Sequence, residues 1–424
     1  MQYDVLVAGG GPAGMSAAMQ SAAAGAKTLL LERSSMLGGT TNAAGVNFPG
    51  IFHAWGRQII DGYGWKLVAQ CVAESGGTLP DFSMPPAANK HWMHQVRVDR
   101  ALYTMLCDEH VTRTGAEVLF HAMPAKVSAQ SDGWLVTICG KSGLQDVAAH
   151  CLVDCTGDAN LVALAGGALL DEGPDKQPGT YVCTATGYDL ARLDMDAIEA
   201  AFRAALASGE VTAHDAGWDV HTPVVQRWLR AHGENVNHIP GIDGRDSWGR
   251  TQMELAGRKS ILRMYRFLRR QPGLENLQIA FLAPQCGVRE TVRVVGDAMI
   301  TAADYTSGRV WPDALCHSFY PIDLHTADGS GLKKIHLAAE IVPTVPRGAL
   351  LPKGLTRIAV GGRCVSSDRD ANSALRVQGS AMAMGQAAGA MAALSAKQGV
   401  DMRALDLEDI RGLLRVHGAI VPAV

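Results

Sequence analysis

Tyr3-Asp4-Val5-Leu6-Val7-Ala8-Gly9-Gly10-Gly11-Pro12-Ala13-Gly14 opens the chain, and Thr28-Leu29-Leu30-Leu31-Glu32 follows after an alanine-rich stretch. The pattern predicts a strand over residues 3–8, a helix over 14–24 and a second strand over 28–31, which together make a dinucleotide-binding βαβ unit. Each glycine has a physical role. Gly9 permits the tight turn, Gly11 lets the backbone approach a pyrophosphate, and Gly14 lets the helix pack closely on the strand; Pro12 and Ala13 belong to the same binding loop. The helix directs its free amides and the positive end of its dipole at the phosphates. Glu32 lies roughly 20 residues beyond the turn, where a carboxylate accepts hydrogen bonds from ribose hydroxyls.

The sequel narrows the cofactor. Glu32-Arg33 is followed by Leu37-Gly38-Gly39-Thr40-Thr41-Asn42, a second glycine pair with hydroxyls that suits an extended cofactor reaching past the first loop. This stretch resembles the FAD-binding domain of glutathione-reductase-type flavoproteins. The resemblance implies that Glu32 and Arg33 flank the adenosine and that Gly39, Thr40 and Thr41 reach the pyrophosphate, with Gly38 and Asn42 in the same loop.

Composition fits such a protein. The 424 residues are 47% hydrophobic and 19% charged, enough for a sizeable core and unlike a disordered chain. A net charge of -3 without basic runs argues against nucleic acid as a partner. The first strand starts at about the third residue, leaving no room for a targeting peptide, so the expected location is cytoplasmic. Nine cysteines include no C-x-x-C pair, and neither a disulfide framework nor a metal site is expected. Cys151 and Cys155 read as core thiols. The stretch 379–396, GSAMAMGQAAGAMAALSA, has nearly the length of a membrane span, but its alanine, glycine and methionine read as a buried helix and not a span.

Strand and helix patterns alternate as in an α/β protein with a parallel sheet. Residues 80–90, rich in proline and polar breaks, read as a connection. A helix is expected over 99–114, then strands over 117–121, 125–130, 134–140 and 146–154. The last three, with turns at Ser131-Asp132-Gly133 and Lys141-Ser142-Gly143, match the small β-meander inserted in glutathione-reductase-type Rossmann sheets, which implies Val127 at the adenine. Thr156-Gly157 then ends a strand where such flavoproteins return to the cofactor. Helices are expected over 194–208, 223–232 and 252–270 in a mixed α+β substrate domain. The resulting division gives an FAD-binding domain in three pieces, 1–80, 99–166 and 333–398, a connection or substrate cap at 81–98, a substrate domain at 167–332 and a C-terminal tail at 399–424. No second G-x-G-x-x-G supplies a separate NAD(P)-binding domain.

In the closing third, a strand ends in Gly361-Gly362-Arg363, and 372–389 turns into the small-residue helix. The resemblance places Arg376, Val377 and Gln378 at the flavin's O2/N1 edge, where a positive helix end stabilises the reduced anion, and Gly362 and Arg363 near the ribityl chain. GVRETVRVVGDAMIT at 287–301, YPIDLH at 320–325, LLPKGLTRIAVGGRCVSS at 350–367 and LRVQGSAMAMGQAAG at 375–389 resemble FAD-dependent oxidoreductases related to fumarate reductase flavoproteins.

A flavin oxidoreductase must hold a substrate C–H over flavin N5 and move one proton. Arg289, Glu290, Tyr320, Asp323 and His325 supply a cation, acids and a base in two short segments. Arg289 suits an anionic group of a small-molecule substrate, His325 oriented by Asp323 is the candidate base, and Tyr320 is the alternative. A structural Arg289–Glu290 ion pair and a loop-capping Asp323–His325 pair are the competing readings. His53 is a candidate pocket residue or covalent tether. The expected function is hydride transfer between a small organic substrate and FAD, with oxygen, a quinone, a carrier or NAD(P)H as external electron partner. The alternatives are an aromatic monooxygenase using NAD(P)H and O2, and a non-catalytic escort protein on the same fold. Oligomeric state stays open.

Overall fold

The computed structural model describes residues 1–83, 90–217, 223–329 and 331–424. Residues 84–89 of the expected connection lie outside the described residues, as do 218–222 and 330 of the expected substrate segment.

Strand β1 (Gln2–Ala8), helix α1 (Pro12–Ala23) and strand β2 (Thr28–Glu32) form the predicted βαβ unit, with β1 and β2 parallel from Val5↔Thr28 to Ala8↔Leu31. Strand β3 (Glu117–Phe120) extends the sheet beside β2, again in parallel. Strands β4 (Met123–Gln130), β5 (Gly133–Gly140) and β6 (Gly143–Asp154) follow as an antiparallel meander.

The meander and the parallel sheet share one strand. Twelve-residue β6 pairs with β5 over its first half, while from Ala148 onward its other edge runs parallel to β1, ending at Ala8↔Asp154. Beyond β5's reach, strand β7 (Ile358–Val360) takes the freed edge and pairs in parallel with Leu152–Asp154. The parallel order is therefore β3-β2-β1-β6-β7, a mixed α/β architecture consistent with a Rossmann-type dinucleotide fold. Since the strands end together at Ala8, Glu32, Asp154 and Val360, a ligand has one crevice beyond their carboxyl ends.

Two cores cover the sheet. Along β1, Val5 and Val7 pack into one cluster and Leu6 and Ala8 into another, all four fully buried, as a strand covered on both faces requires. The first cluster is built on α1 and helix Gln378–Gln398, the small-residue stretch. Gly385 and Gly389 meet Ala13 and Ala17 there so closely that an added Cβ would lie 2.0 and 2.4 Å from their carbonyl oxygens. No described helix is long and apolar enough to cross a membrane. Cys151 and Cys155 are buried free thiols.

A third core, from Tyr181 to Cys286, is separate from both. Residues further along the expected substrate segment do not join it: Val292 and Val294 pack in the second cluster, and Ile300, Tyr305 and Ile322 in the first. Helix α2 (Ser247–Leu268) covers the third core and starts five residues before the expected position, because Asp246 caps it through a 2.7 Å bond from the Gly249 amide. The closing helix also departs from expectation. The chain is helical from α3 (Arg369–Leu375), breaks at Arg376-Val377, and resumes in α4 (Gln378–Gln398), with extended Val377 at its start.

Gly14 is the tightest point of the βαβ unit: a Cβ there would sit 1.7 Å from the Gly9 carbonyl oxygen. Backbone cannot move aside without opening the turn. Gly14→Ala is expected to destabilise the apoprotein by about 3 kcal/mol or more, read as a lower urea midpoint or as loss of soluble protein.

Candidate active site

One cavity of about 690 Å³ runs from the glycine turn to the β7 side of the sheet, a volume suited to a large ligand. Gly9, Gly11, Pro12, Ala13, Glu32, Arg33, Gly39, Thr40, Thr156, Gly157, Gly362, Arg363, Arg376, Val377 and Gln378 all line it. At its centre Gly11 and Gly39 face each other: a Cβ on Gly39 would lie 2.8 Å from the Gly11 Cα. Two bare backbones thus form a cradle, with the start of α1 behind it.

The loops are tied to α4. Thr41 donates its hydroxyl to Gln378 Oε1 at 2.6 Å, and Gln378 Nε2 donates to the Val46 and Phe48 carbonyls at 3.0 and 3.3 Å. Asn42 donates to the Leu37 carbonyl, and Gly38 packs on the Asn42 side chain. Thr41, Asn42, Gly38 and Gly14 shape the wall without lining it. Glu32 accepts from the Gly10 and Ser34 amides at 2.7 and 2.8 Å, which fixes its carboxylate at the cavity.

Asp158, which the sequence reading passed over, anchors the far side. It accepts from Arg363 at 2.5 Å, Arg250 at 2.9 Å and the Thr291 hydroxyl at 2.9 Å. Burial opposes its ionisation, but the two guanidiniums prevail and hold its carboxyl below the usual range. Val127 lies on β4 away from the cavity, and Met123 and Pro124, earlier on that strand, line it instead.

At the other end Arg289, Tyr320, Asp323 and His325 converge beside Arg376. Asp323 and His325 alternate on the short strand Ile322–His325, so both face the same side. Arg289 donates to the Pro178 carbonyl at 2.7 Å and lies 3.1 Å from His238 Nε2. Arg376 donates to Gln177 Oε1 at 3.2 Å, and its Nε is buried without a hydrogen-bond partner. Neither arginine makes an ion pair among the described residues. Burial, and then the charge of Arg376, lowers Arg289 to about 9, while Arg376 is lowered chiefly by burial.

Burial and then Arg289 push His325 far below the ordinary imidazole range, so it is neutral at pH 7; its Nε2 lies 3.8 Å from Asp323 Oδ2. His238, whose ring centre is 5.1 Å from that of His325, is depressed likewise by burial first and Arg289 second. Tyr320 is raised by burial and then by Asp323, which keeps its hydroxyl protonated.

Two expected members sit elsewhere. Glu290 points away from Arg289 into an ion cluster with Arg369 at 2.8 Å and Arg293 at 3.8 Å, and accepts from the Gln177 amide. His53 is buried in an aromatic nest, stacked on Phe82 at 3.7 Å and edge-on to Trp65, and does not line the cavity.

Over residues 4–414 the chain matches the model of the family described as FAD dependent oxidoreductase. It belongs to that family. FAD is therefore the cofactor of this FAD-dependent oxidoreductase. The chain is 28% identical to an uncharacterised protein from the nifH2 5′ region of Methanosarcina barkeri over 178 residues, which are 40% of this chain and 91% of that one. It is 29% identical to 12-dehydrotetracycline 5-monooxygenase/anhydrotetracycline 6-monooxygenase of Streptomyces rimosus, over 38% of this chain but only 32% of that enzyme. Among solved structures, a geranylgeranyl bacteriochlorophyll reductase-like protein from Thermoplasma acidophilum is 14% identical with a TM-score of 0.44, covering 98% of this chain and 83% of that one.

Proposed function

We propose that this oxidoreductase is a dehydrogenase or reductase of a small organic acid, whose carboxylate is bound between Arg289 and Arg376. The observation that carries the reading is the pair of half-buried guanidiniums in one cavity, neither in an ion pair among the described residues although Asp323 lies near both, and one of them with an orphan donor. A substrate anion supplies what both lack. Bound FAD supplies a two-electron centre that accepts or releases hydride.

The chain's own residues do the rest. In the free protein burial and the two arginines make His325 a weak base, and burial and Asp323 make Tyr320 a weak acid; a bound carboxylate offsets the charges of Arg289 and Arg376 and makes His325 the better proton acceptor of the two. The start of α4, at Val377 and Gln378, places a positive dipole end on the same wall. The strand order and shared meander support the glutathione-reductase-type subclass, and the third core supports a substrate domain ending near Val288, shorter than the expected 167–332.

A second reading has one observation behind it, the partial similarity to a tetracycline monooxygenase. One screen separates the two. Anaerobic holoprotein is mixed with small hydroxy, amino and unsaturated acids while the visible flavin bands are followed, before and after prereduction. Bleaching or reoxidation by an acid supports the proposal. Oxidation of NADPH that requires a phenolic compound and oxygen would replace it with the monooxygenase reading.

A further inference from the structure

Helix α2 has 22 residues and two distinct sides. Met253, Gly257, Ile261, Met264 and Phe267 are buried against the third core. On the opposite side Trp248, Leu255 and Leu262 are 80%, 60% and 44% exposed. Residues seven apart drift by only about 20° around a helix, so these three form one line with roughly 10 Å between neighbours.

Cations border the line on both sides. Lys259 and Arg266 follow one flank and Arg258 the other, with Arg269 and Arg270 just past the helix end, and all five are exposed. Lys259 and Arg266 have no ion pair among the described residues, whereas Arg258 pairs with Glu254 and Arg270 with Glu210. Glu254 is the one carboxylate of α2, and it is occupied by Arg258 and by the Cys286 amide at 2.7 Å. This face is positive in a chain whose net charge is -3.

We propose that the outward face of α2 docks on an anionic lipid surface. Trp248 and the two leucines enter the headgroup boundary, while the bordering lysine and arginines reach lipid phosphates on either side. A second copy of the chain fits less well. Antiparallel α2 helices crossing at Leu255 would bring Arg258 and Lys259 of both copies toward the axis with no free carboxylate between them. Three apolar side chains also fall far short of the roughly 1,000 Å² that a stable interface buries. Nucleic acid would use the cations but has no need of an exposed Trp-Leu-Leu line. Ser247 and Arg250 in the first turn of α2 also line the cofactor cavity, so the docking face and the cavity share one element.

The test is co-sedimentation of holoprotein with vesicles of phosphatidylcholine alone and of phosphatidylcholine mixed with phosphatidylglycerol. Wild type is expected to pellet with the mixed vesicles only. Leu255→Glu and the pair Lys259→Glu/Arg266→Glu, all solvent-facing changes, are each expected to weaken binding by roughly tenfold or more while FAD content stays at the parent level. Absence of binding at low salt would overturn the proposal, as would binding indifferent to Leu255→Glu. A solution dimer that Leu255→Glu dissociates would overturn it in favour of self-association. Heparin retention lost in the charge variant but kept in Leu255→Glu, without vesicle binding, would overturn it in favour of nucleic acid.

Discussion

Gly11→Ala protein is expected to fold like the parent and to bind FAD at least a hundredfold more weakly, a loss of about 2.7 kcal/mol. The two halves of this expectation have separate causes. Gly11 has φ -75° and ψ -174°, extended backbone that alanine adopts without strain. The nearest heavy atom to an added Cβ is the Gly39 Cα at 3.9 Å, ordinary contact distance. Nothing in the apoprotein therefore resists the methyl group. Gly11 lines the cavity, and the methyl group takes up space there at the point where the fingerprint brings a pyrophosphate to the backbone. Fluorescence titration of apoprotein with FAD reads the affinity, and thermal unfolding of the apoprotein reads the fold. Unchanged affinity would place the pyrophosphate elsewhere. The contrast with Gly14→Ala, which strikes the Gly9 carbonyl, distinguishes a glycine that serves the ligand from one that serves the fold.

Arg289→Met is expected to lower kcat/KM for the acid substrate by about one and a half to three and a half orders of magnitude, the 2–5 kcal/mol lost when one partner of a desolvated charged contact is removed. FAD content is expected to stay at the parent level, because Arg289 lies at the end of the cavity away from the Gly11–Gly39 cradle. Arg289→Lys is expected to fall in between: it keeps the charge but cannot donate to the Pro178 carbonyl and the substrate in the same fork. Burial and the charge of Arg376 weaken the hold of Arg289 on its proton, yet a guanidinium stays charged in proteins, so the anion site persists through neutral and mildly alkaline pH and wild type should show no kcat/KM limb from Arg289 there. A variant that keeps full kcat/KM would exclude Arg289 from substrate binding.

The parts of this molecule legible in its sequence are those fixed by local rules. The turn at Gly9-Gly10-Gly11, the acid at the end of β2 and the meander turns each depend on residues a few positions apart, and they define the sheet. Chemistry assembled from distant segments left weaker marks. His238 reaches Arg289 through the two-residue pairing of Gly179–Thr180 with His238–Ile239, too short for a hydrophobic period to reveal. Asp158 gains its partners from positions 250 and 363, and nothing beside it announces them. Sequence adjacency also misled. Arg289 and Glu290 read as one unit, yet the first side chain lines the cavity and the second joins the Arg369–Arg293 cluster. The break at Arg376-Val377 was hidden because no glycine or proline marks it, although it is what lets α4 begin at the cavity wall. His53, expected as a pocket residue or covalent tether, is held instead by Phe82 and Trp65.

The most direct measurement compares matched ligands on holoprotein. A small carboxylic acid and its carboxamide are titrated under anaerobic conditions while the visible flavin spectrum is recorded, in wild type and in Arg289→Met. A saturable spectral change with the acid, absent with the amide and lost in the variant, is the predicted result. Equal responses to acid and amide, or a response to the acid that survives in Arg289→Met, would contradict an anion site built on Arg289 and Arg376.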